Sequence, residues 1–171
     1  METVQPNVII RTIIFAKSAY NYNPSLATMS LSFAMSAFGS SDGGQTDYTN
    51  KSSNARALLK EMGFADENIA VNDWFTKKPT TDSIGVIIGN KPVKVKDEEY
   101  TLIAVAVRGG GYEQEWASNF TIGTSGQHQG FNTAKNNVLS YLKQYISKQG
   151  ISGQVKIWVT GYSRAAQQRI W

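Results

Sequence analysis

Val155-Lys-Ile-Trp-Val-Thr-Gly-Tyr-Ser-Arg-Ala-Ala166 is an alternating apolar strand that runs into the turn Gly161-Tyr-Ser163-Arg-Ala165, followed by residues compatible with a helix. A Gly-x-Ser-x-Ala turn between strand and helix has the layout of a nucleophile elbow, which holds a serine hydroxyl up for attack. Gly161 and Ala165 are small enough for the close backbone crossing that such a turn needs. The first N–H groups of the following helix would point at the serine, where the helix dipole favours a developing oxyanion. Ser163 is therefore a candidate nucleophile, and the Arg164 N–H a candidate oxyanion donor. A serine capping the start of a helix is the plainer account of the same residues.

Upstream, residues 131–149 place Ala134, Val138, Tyr141, Leu142 and Tyr145 on one helical stripe, with Gly150 at the C-cap position. Before that helix, Tyr100-Thr-Leu-Ile-Ala-Val-Ala-Val107 is a continuous apolar run, the pattern of a strand covered on both faces. Strand, long helix and strand in that order predict a βαβ unit with parallel strands. In the first half, residues 8–17 read as an opening strand. Asn23-Pro24 offers an N-cap and a first-turn proline for a helix that Gly39 ends. Residues 40–50 form a Ser/Gly/Asp-rich connection. Residues 52–62 carry Ala55, Leu58, Leu59 and Met62 on one stripe and stop at Gly63. Strands are expected at 69–75, 83–89 and 93–95, the last two separated by a turn at Asn90-Lys-Pro92. Nothing divides residues 1–171, which are read as a single domain.

Composition narrows the function classes. The 171 residues are 41% hydrophobic and 18% charged, ordinary for a globular domain. There is no cysteine, which removes disulfides, zinc–thiolate sites and thiol nucleophiles. A single histidine, His128, excludes a multi-histidine metal site, and no cofactor is expected. The formal charge of +4 comes from 17 scattered basic residues, not from the clustered basic surface that a nucleic acid selects. No apolar stretch is long enough to span a bilayer. The first residues lack a signal-peptide pattern, which leaves the compartment open.

Three further groups could carry chemistry. In Ala106-Val-Arg-Gly-Gly-Gly-Tyr-Glu-Gln-Glu-Trp116 an apolar strand ends in three glycines. Flexible backbone at the carboxyl edge of a parallel sheet is where α/β proteins place their sites. A glycine there can turn its N–H toward an oxyanion, although a simple turn or bulge accounts for a lone Gly-Gly-Gly. His128 precedes the long helix and also precedes Ser163, whereas the base of a serine hydrolase of this layout follows its serine. A structural role is the better reading for it. Glu113 and Glu115 flank Gln114 beside Trp116, as solvated loop residues do. Val159-Thr-Gly-Tyr-Ser-Arg-Ala-Ala166 lacks the later glycines of a dinucleotide loop.

Taken in order, Arg108-Gly-Gly with Trp116 beyond it, His128-x-Gly-Phe131, and Gly161-Tyr-Ser163-Arg-Ala-Ala166 resemble the class 3 lipases, the fungal-lipase-like branch of the α/β-hydrolases. The Tyr22-Asn-Pro-Ser-Leu-Ala-Thr-Met-Ser-Leu31 segment is similar to bacterial lipase-like members. The resemblance implies a mostly parallel central sheet with flanking helices and the hydrolysis of carboxylic esters or lipids. It makes Ser163 the nucleophile, gives the oxyanion hole to the N–H groups of Gly110 and Arg164, and places Trp116 near a lid, with contact to a lipid surface. The family pattern is Gly-His-Ser-Leu-Gly-Gly, so Tyr162, Arg164, Ala165 and Ala166 depart from it. The family's acid and base follow the serine. Residues 164–171 contain no aspartate or histidine, so the expectation is the N-terminal part of an α/β-hydrolase, incomplete on its C-terminal side and inactive alone. Its last strand would have an open edge, inviting self-association. The alternative from another class is a non-catalytic α/β module that binds a partner.

Overall fold

The computed structural model describes residues 21–37, 51–76, 84–109, 129–162 and 165. Residues 8–17 and 40–50, read above as a strand and a connection, lie outside this set. The described elements are helices α1 (Pro24–Ala37) and α2 (Lys51–Glu61), a 3₁₀ turn at Asp66–Asn68, strand β1 (Ile69–Val71) and the short helix α3 (Asp73–Thr76). Strands β2 (Val86–Val95) and β3 (Glu98–Val107), helix α4 (Gln129–Lys148) and strand β4 (Val155–Gly161) follow.

The helix ends are built as their residues require. The Asn23 side chain accepts the Leu26 N–H at 3.2 Å and caps α1, with Pro24 just inside. Gly63 ends α2 at φ 83°, while the Phe64 N–H reaches back to Leu59 O at 3.0 Å. Gly150 ends α4 in the same way at φ 61°, with the Ile151 N–H donating to Ile146 O at 3.1 Å. Both are Schellman closures, which need the left-handed conformation that glycine adopts freely.

The four strands lie in the order β1-β2-β3-β4. β3 and β4 are parallel, joined through α4 as the βαβ reading expects, with Thr101 opposite Val155 and Val107 opposite Gly161. The sheet as a whole is mixed, and this corrects the mostly parallel expectation. β1 with β2 and β2 with β3 are antiparallel. The cause is local, because Val95 pairs with Glu98 across only Lys96 and Asp97, and so short a link permits only a hairpin. Lys96 takes a left-handed φ of 57° to make it.

Two smaller expectations also change. Asn90-Lys-Pro92 is not a turn but the middle of β2. The pairing with β1 reaches no further along β2 than Gly89, so beyond that point one edge of β2 has no strand partner among the described residues and accommodates Pro92. The strand expected over 69–75 is only three residues long, and α3 follows it.

Alternation along the strands splits the core into two layers. Ile87, Val93, Leu102, Ala104, Ala106 and Trp158 pack with Phe33, Ala37, Ala55 and Leu59 of α1 and α2. Val86, Ile88, Ile103, Val105 and Val107 pack with Ala134, Val138, Leu142 and Tyr145 of α4. Trp158 is the link between α1 and the sheet. Its ring lies 5.2 Å from that of Phe33, and its indole N–H donates to Ser30 Oγ at 2.9 Å. Lys91 donates to Met62 O at 2.5 Å and lies over the Phe64 ring, tying β2 to the end of α2. Among the described residues no helix is long and apolar enough to cross a membrane.

This layering separates two leucines. Leu59 is fully buried and Leu31 is 56% exposed. Leu59→Ala is expected to cost about 2–5 kcal/mol, and Leu31→Ala less than about 0.5 kcal/mol. Urea unfolding followed by tryptophan fluorescence measures both.

Candidate functional site

The parallel register brings the carboxyl ends of β3 and β4 side by side, Val107 against Gly161. The antiparallel register brings the start of β2 to the same place, Val86 against Val107. Gly85, Arg108, Gly109, Gly161, Tyr162 and Ala165 therefore share one end of the sheet. In open α/β sheets this carboxyl end, between strands and loops, is where ligands and reacting groups are held.

The chain turns sharply as it leaves β4. The Ala165 N–H donates to Tyr162 O at 3.2 Å. A Cβ at Gly161 would lie 2.9 Å from Ala165 Cβ and 3.1 Å from its carbonyl carbon. Only glycine fits at 161, and only a small residue at 165, the requirement read from the Gly-x-Ser-x-Ala spacing. Ala165 is buried with Ile84, Val86 and Val107 on the α4 side of the sheet. The chain thus bends back toward the layer that α4 already occupies.

Arg108 is the feature that composition does not reveal. Its side chain is only 2% exposed. One guanidinium nitrogen donates to Phe75 O at 3.0 Å, and its backbone N–H donates to Gly85 O at 2.8 Å. A side chain at Gly85 would come within 3.3 Å of the guanidinium carbon and 3.0 Å of the Phe75 backbone. Gly85 is therefore the space into which Arg108 folds. A buried cation is costly to hold without such partners, so this arginine fixes the strand end from which Gly109 departs. The charge itself gave no hint of burial, and only the fold brings Gly85 opposite Arg108.

Other polar contacts brace the frame. Asn90 donates to the Tyr145 hydroxyl at 2.7 Å, and that hydroxyl donates to Asn68 O at 2.5 Å, linking β2, α4 and the approach to β1. Asn72 accepts the Val86 N–H at 3.0 Å and donates to Ile84 O at 2.8 Å, holding the entry to β2. Thr160 donates to Ser30 O at 2.8 Å beneath α1. Burial pushes the Tyr141 hydroxyl up to about 12, helped by repulsion from Tyr145 and Asp73. Burial also raises Tyr145, while its bond with Asn90 pulls the other way.

Ser163, Arg164, Gly110, Trp116, His128 and the Glu113/Glu115 pair lie outside the described residues. What is described are the flanks of the first three: Arg108 and Gly109 before Gly110, and Tyr162 and Ala165 around Ser163 and Arg164. Among the described residues no group of three or more His, Asp or Glu side chains could hold a metal ion. The chain matches no family model, no curated protein and no solved structure.

Two outcomes follow from this geometry. Gly161→Ala is expected to destabilise the fold by about 1–3 kcal/mol through overpacking against Ala165. Adding Ala165→Gly should recover part of that loss but not all, because the backbone contact remains; thermal melts of the two variants measure the difference. Tyr141 holds its proton more tightly folded than unfolded. Its contribution is therefore complete below pH 10 and fades as the pH rises from 10 toward 12. Tyrosinate absorbance should show a late-titrating component that Tyr141→Phe removes.

Proposed function

We propose that the chain carries the nucleophile and oxyanion-hole portion of a serine hydrolase of carboxylic esters, similar to the class 3 lipases, with Ser163 as nucleophile. The observation that carries the reading is the end of β4. Gly161 and Ala165 touch across a turn too tight for any other residue at 161, and that turn opens at the carboxyl end of a strand parallel to β3. The finer assignment, an α/β-hydrolase domain continuing beyond this sheet, belongs to the same proposal.

In this mechanism the Ser163 hydroxyl attacks the acyl carbonyl of an ester or lipid. A histidine takes the hydroxyl proton, and the alcohol leaves with a proton returned from it. Water then releases the acid from the acyl-enzyme. The N–H groups of Gly110 and Arg164 hold the oxyanion. Arg108 acts indirectly, by anchoring the strand end two residues before Gly110 to Phe75 and Gly85. The resemblance to the class 3 lipases is what would assign Trp116 to a lid and to contact with a lipid surface. Residues 164–171 have neither the aspartate nor the histidine that the class 3 lipase pattern places after its serine.

Without a base, the serine hydroxyl stays protonated, and loss of triad partners lowers turnover by roughly 10⁴- to 10⁶-fold. The 171-residue chain should therefore leave p-nitrophenyl butyrate intact. A version extended by the downstream coding sequence should hydrolyse it, and Ser163→Ala should abolish that turnover. Turnover by the short chain that depends on Ser163 would refute the split of the machinery. An extended, folded chain with no Ser163-dependent turnover would refute the hydrolase reading and favour a binding module.

A further inference from the structure

We propose that Thr160 is a positioning residue for the turn after β4. Its hydroxyl holds the strand end to the main chain of α1 and so sets the direction in which the chain leaves toward Ser163. The Thr160 hydroxyl donates to Ser30 O at 2.8 Å. Two residues earlier, the Trp158 indole N–H donates to Ser30 Oγ at 2.9 Å. One residue of α1 thus receives two bonds from the end of β4. The bond from Thr160 ends on the main chain, which no side-chain rotation can displace.

Such a contact needs the helix close to the sheet, and the residues on both sides provide for it. The β3 partners of Trp158 and Thr160 are Ala104 and Ala106, the two alanines that β3 contributes to the α1 layer. On α1, Ser30, Ala34 and Ala37 recur at i, i+4 and i+7 and share one face. Both of these alanines are buried. A threonine side chain is short, so it reaches a helix carbonyl only across so close an approach.

The turn needs a restraint from outside because of the residue that makes it possible. Only glycine fits at 161, and glycine has the widest backbone freedom of any residue. Pairing of Gly161 with Val107 holds the strand edge. On the α4 side, the Ala165 N–H closes the turn on Tyr162 O at 3.2 Å. Thr160 supplies a restraint from the opposite layer, immediately before the glycine. The turn is therefore gripped from both faces of the sheet. Misplacing a reacting group by about 1 Å can cost about 10²-fold in rate, which is the scale on which such a grip matters. The role in catalysis rests on Ser163 being the nucleophile; the grip itself does not.

Two measurements test these parts separately. In the 171-residue chain, hydrogen exchange read by nuclear magnetic resonance should show the Ala165 amide exchanging about tenfold faster in Thr160→Val, with mid-β3 amides unchanged. Valine keeps the shape of threonine and removes the hydroxyl. Thr160→Ser keeps the hydroxyl and should hold Ala165 at the native rate. Circular dichroism checks the fold, and Thr160→Ala takes the place of the valine variant should that one unfold. An Ala165 amide indifferent to loss of the hydroxyl, or a rise shared by the whole sheet, would overturn the grip. In the chain extended by the downstream coding sequence, Thr160→Val should lower kcat for p-nitrophenyl butyrate about tenfold at unchanged KM, and Thr160→Ser should recover most of it. A merely stabilising contact would lower the melting temperature and leave kcat alone in assays run well below it; that result would overturn the positioning role. Turnover that survives Ser163→Ala would instead overturn the nucleophile reading and the role with it, while the exchange result would still stand for the grip.

Discussion

Six consecutive residues of β3, Leu102 to Val107, are buried on both faces of the sheet. Leu102, Ala104 and Ala106 supply one core layer, and Ile103, Val105 and Val107 the other. Every other large element is placed relative to this strand. α1 and α2 cover one side, α4 the other, β2 pairs with one edge and β4 with the opposite edge. A slip of one residue in β3 would exchange the two layers and put Ala104 and Ala106 against α4 in place of larger side chains, so hydrophobic burial fixes the register strongly.

The gathering of groups at one end of the sheet is a product of that register. Because β3 and β4 run the same way, their carboxyl ends coincide, and because β2 runs against β3, its entry lies there too. Gly85 yields space to Arg108, and Gly161 yields space to Ala165. Two glycines, one just before β2 and one at the end of β4, on either side of β3, thus allow two close approaches at one end of the sheet. The first lets a charged side chain be buried against backbone carbonyls; the second lets the main chain double back.

Much of this frame was legible in the sequence where a residue leaves few choices. Asn23-Pro24, Gly63 and Gly150 mark helix ends because capping and positive φ admit few residue types. The apolar run to Val107 marked a strand buried on both faces. Strand direction was harder. Lys96-Asp97 lacks the Asn-Gly or Asp-Gly signature of a tight hairpin, while Asn90-Lys-Pro92 has turn-like composition and lies mid-strand, where the surrounding sheet overrides local preference. At the candidate site, the small residues at 161 and 165 were readable because sterics alone demand them. The burial of Arg108 was not, since its partners are backbone atoms of Phe75 and Gly85 supplied from distant parts of the chain.

The sheet also has an order of assembly written into its connections. β2 and β3 are joined by two residues and can zip from Val95 and Glu98 onward. β4 meets β3 only after a loop of about fifty residues has closed, Thr101 against Val155. Long closures pay their entropy before any contact repays it. The hairpin should therefore form early and β4 arrive late. Until it does, the most apolar strand of the molecule keeps one edge open, and the helices of both layers have an incomplete floor. Correct folding depends on α4, long and well capped at Gly150, delivering β4 to that edge before another chain reaches it.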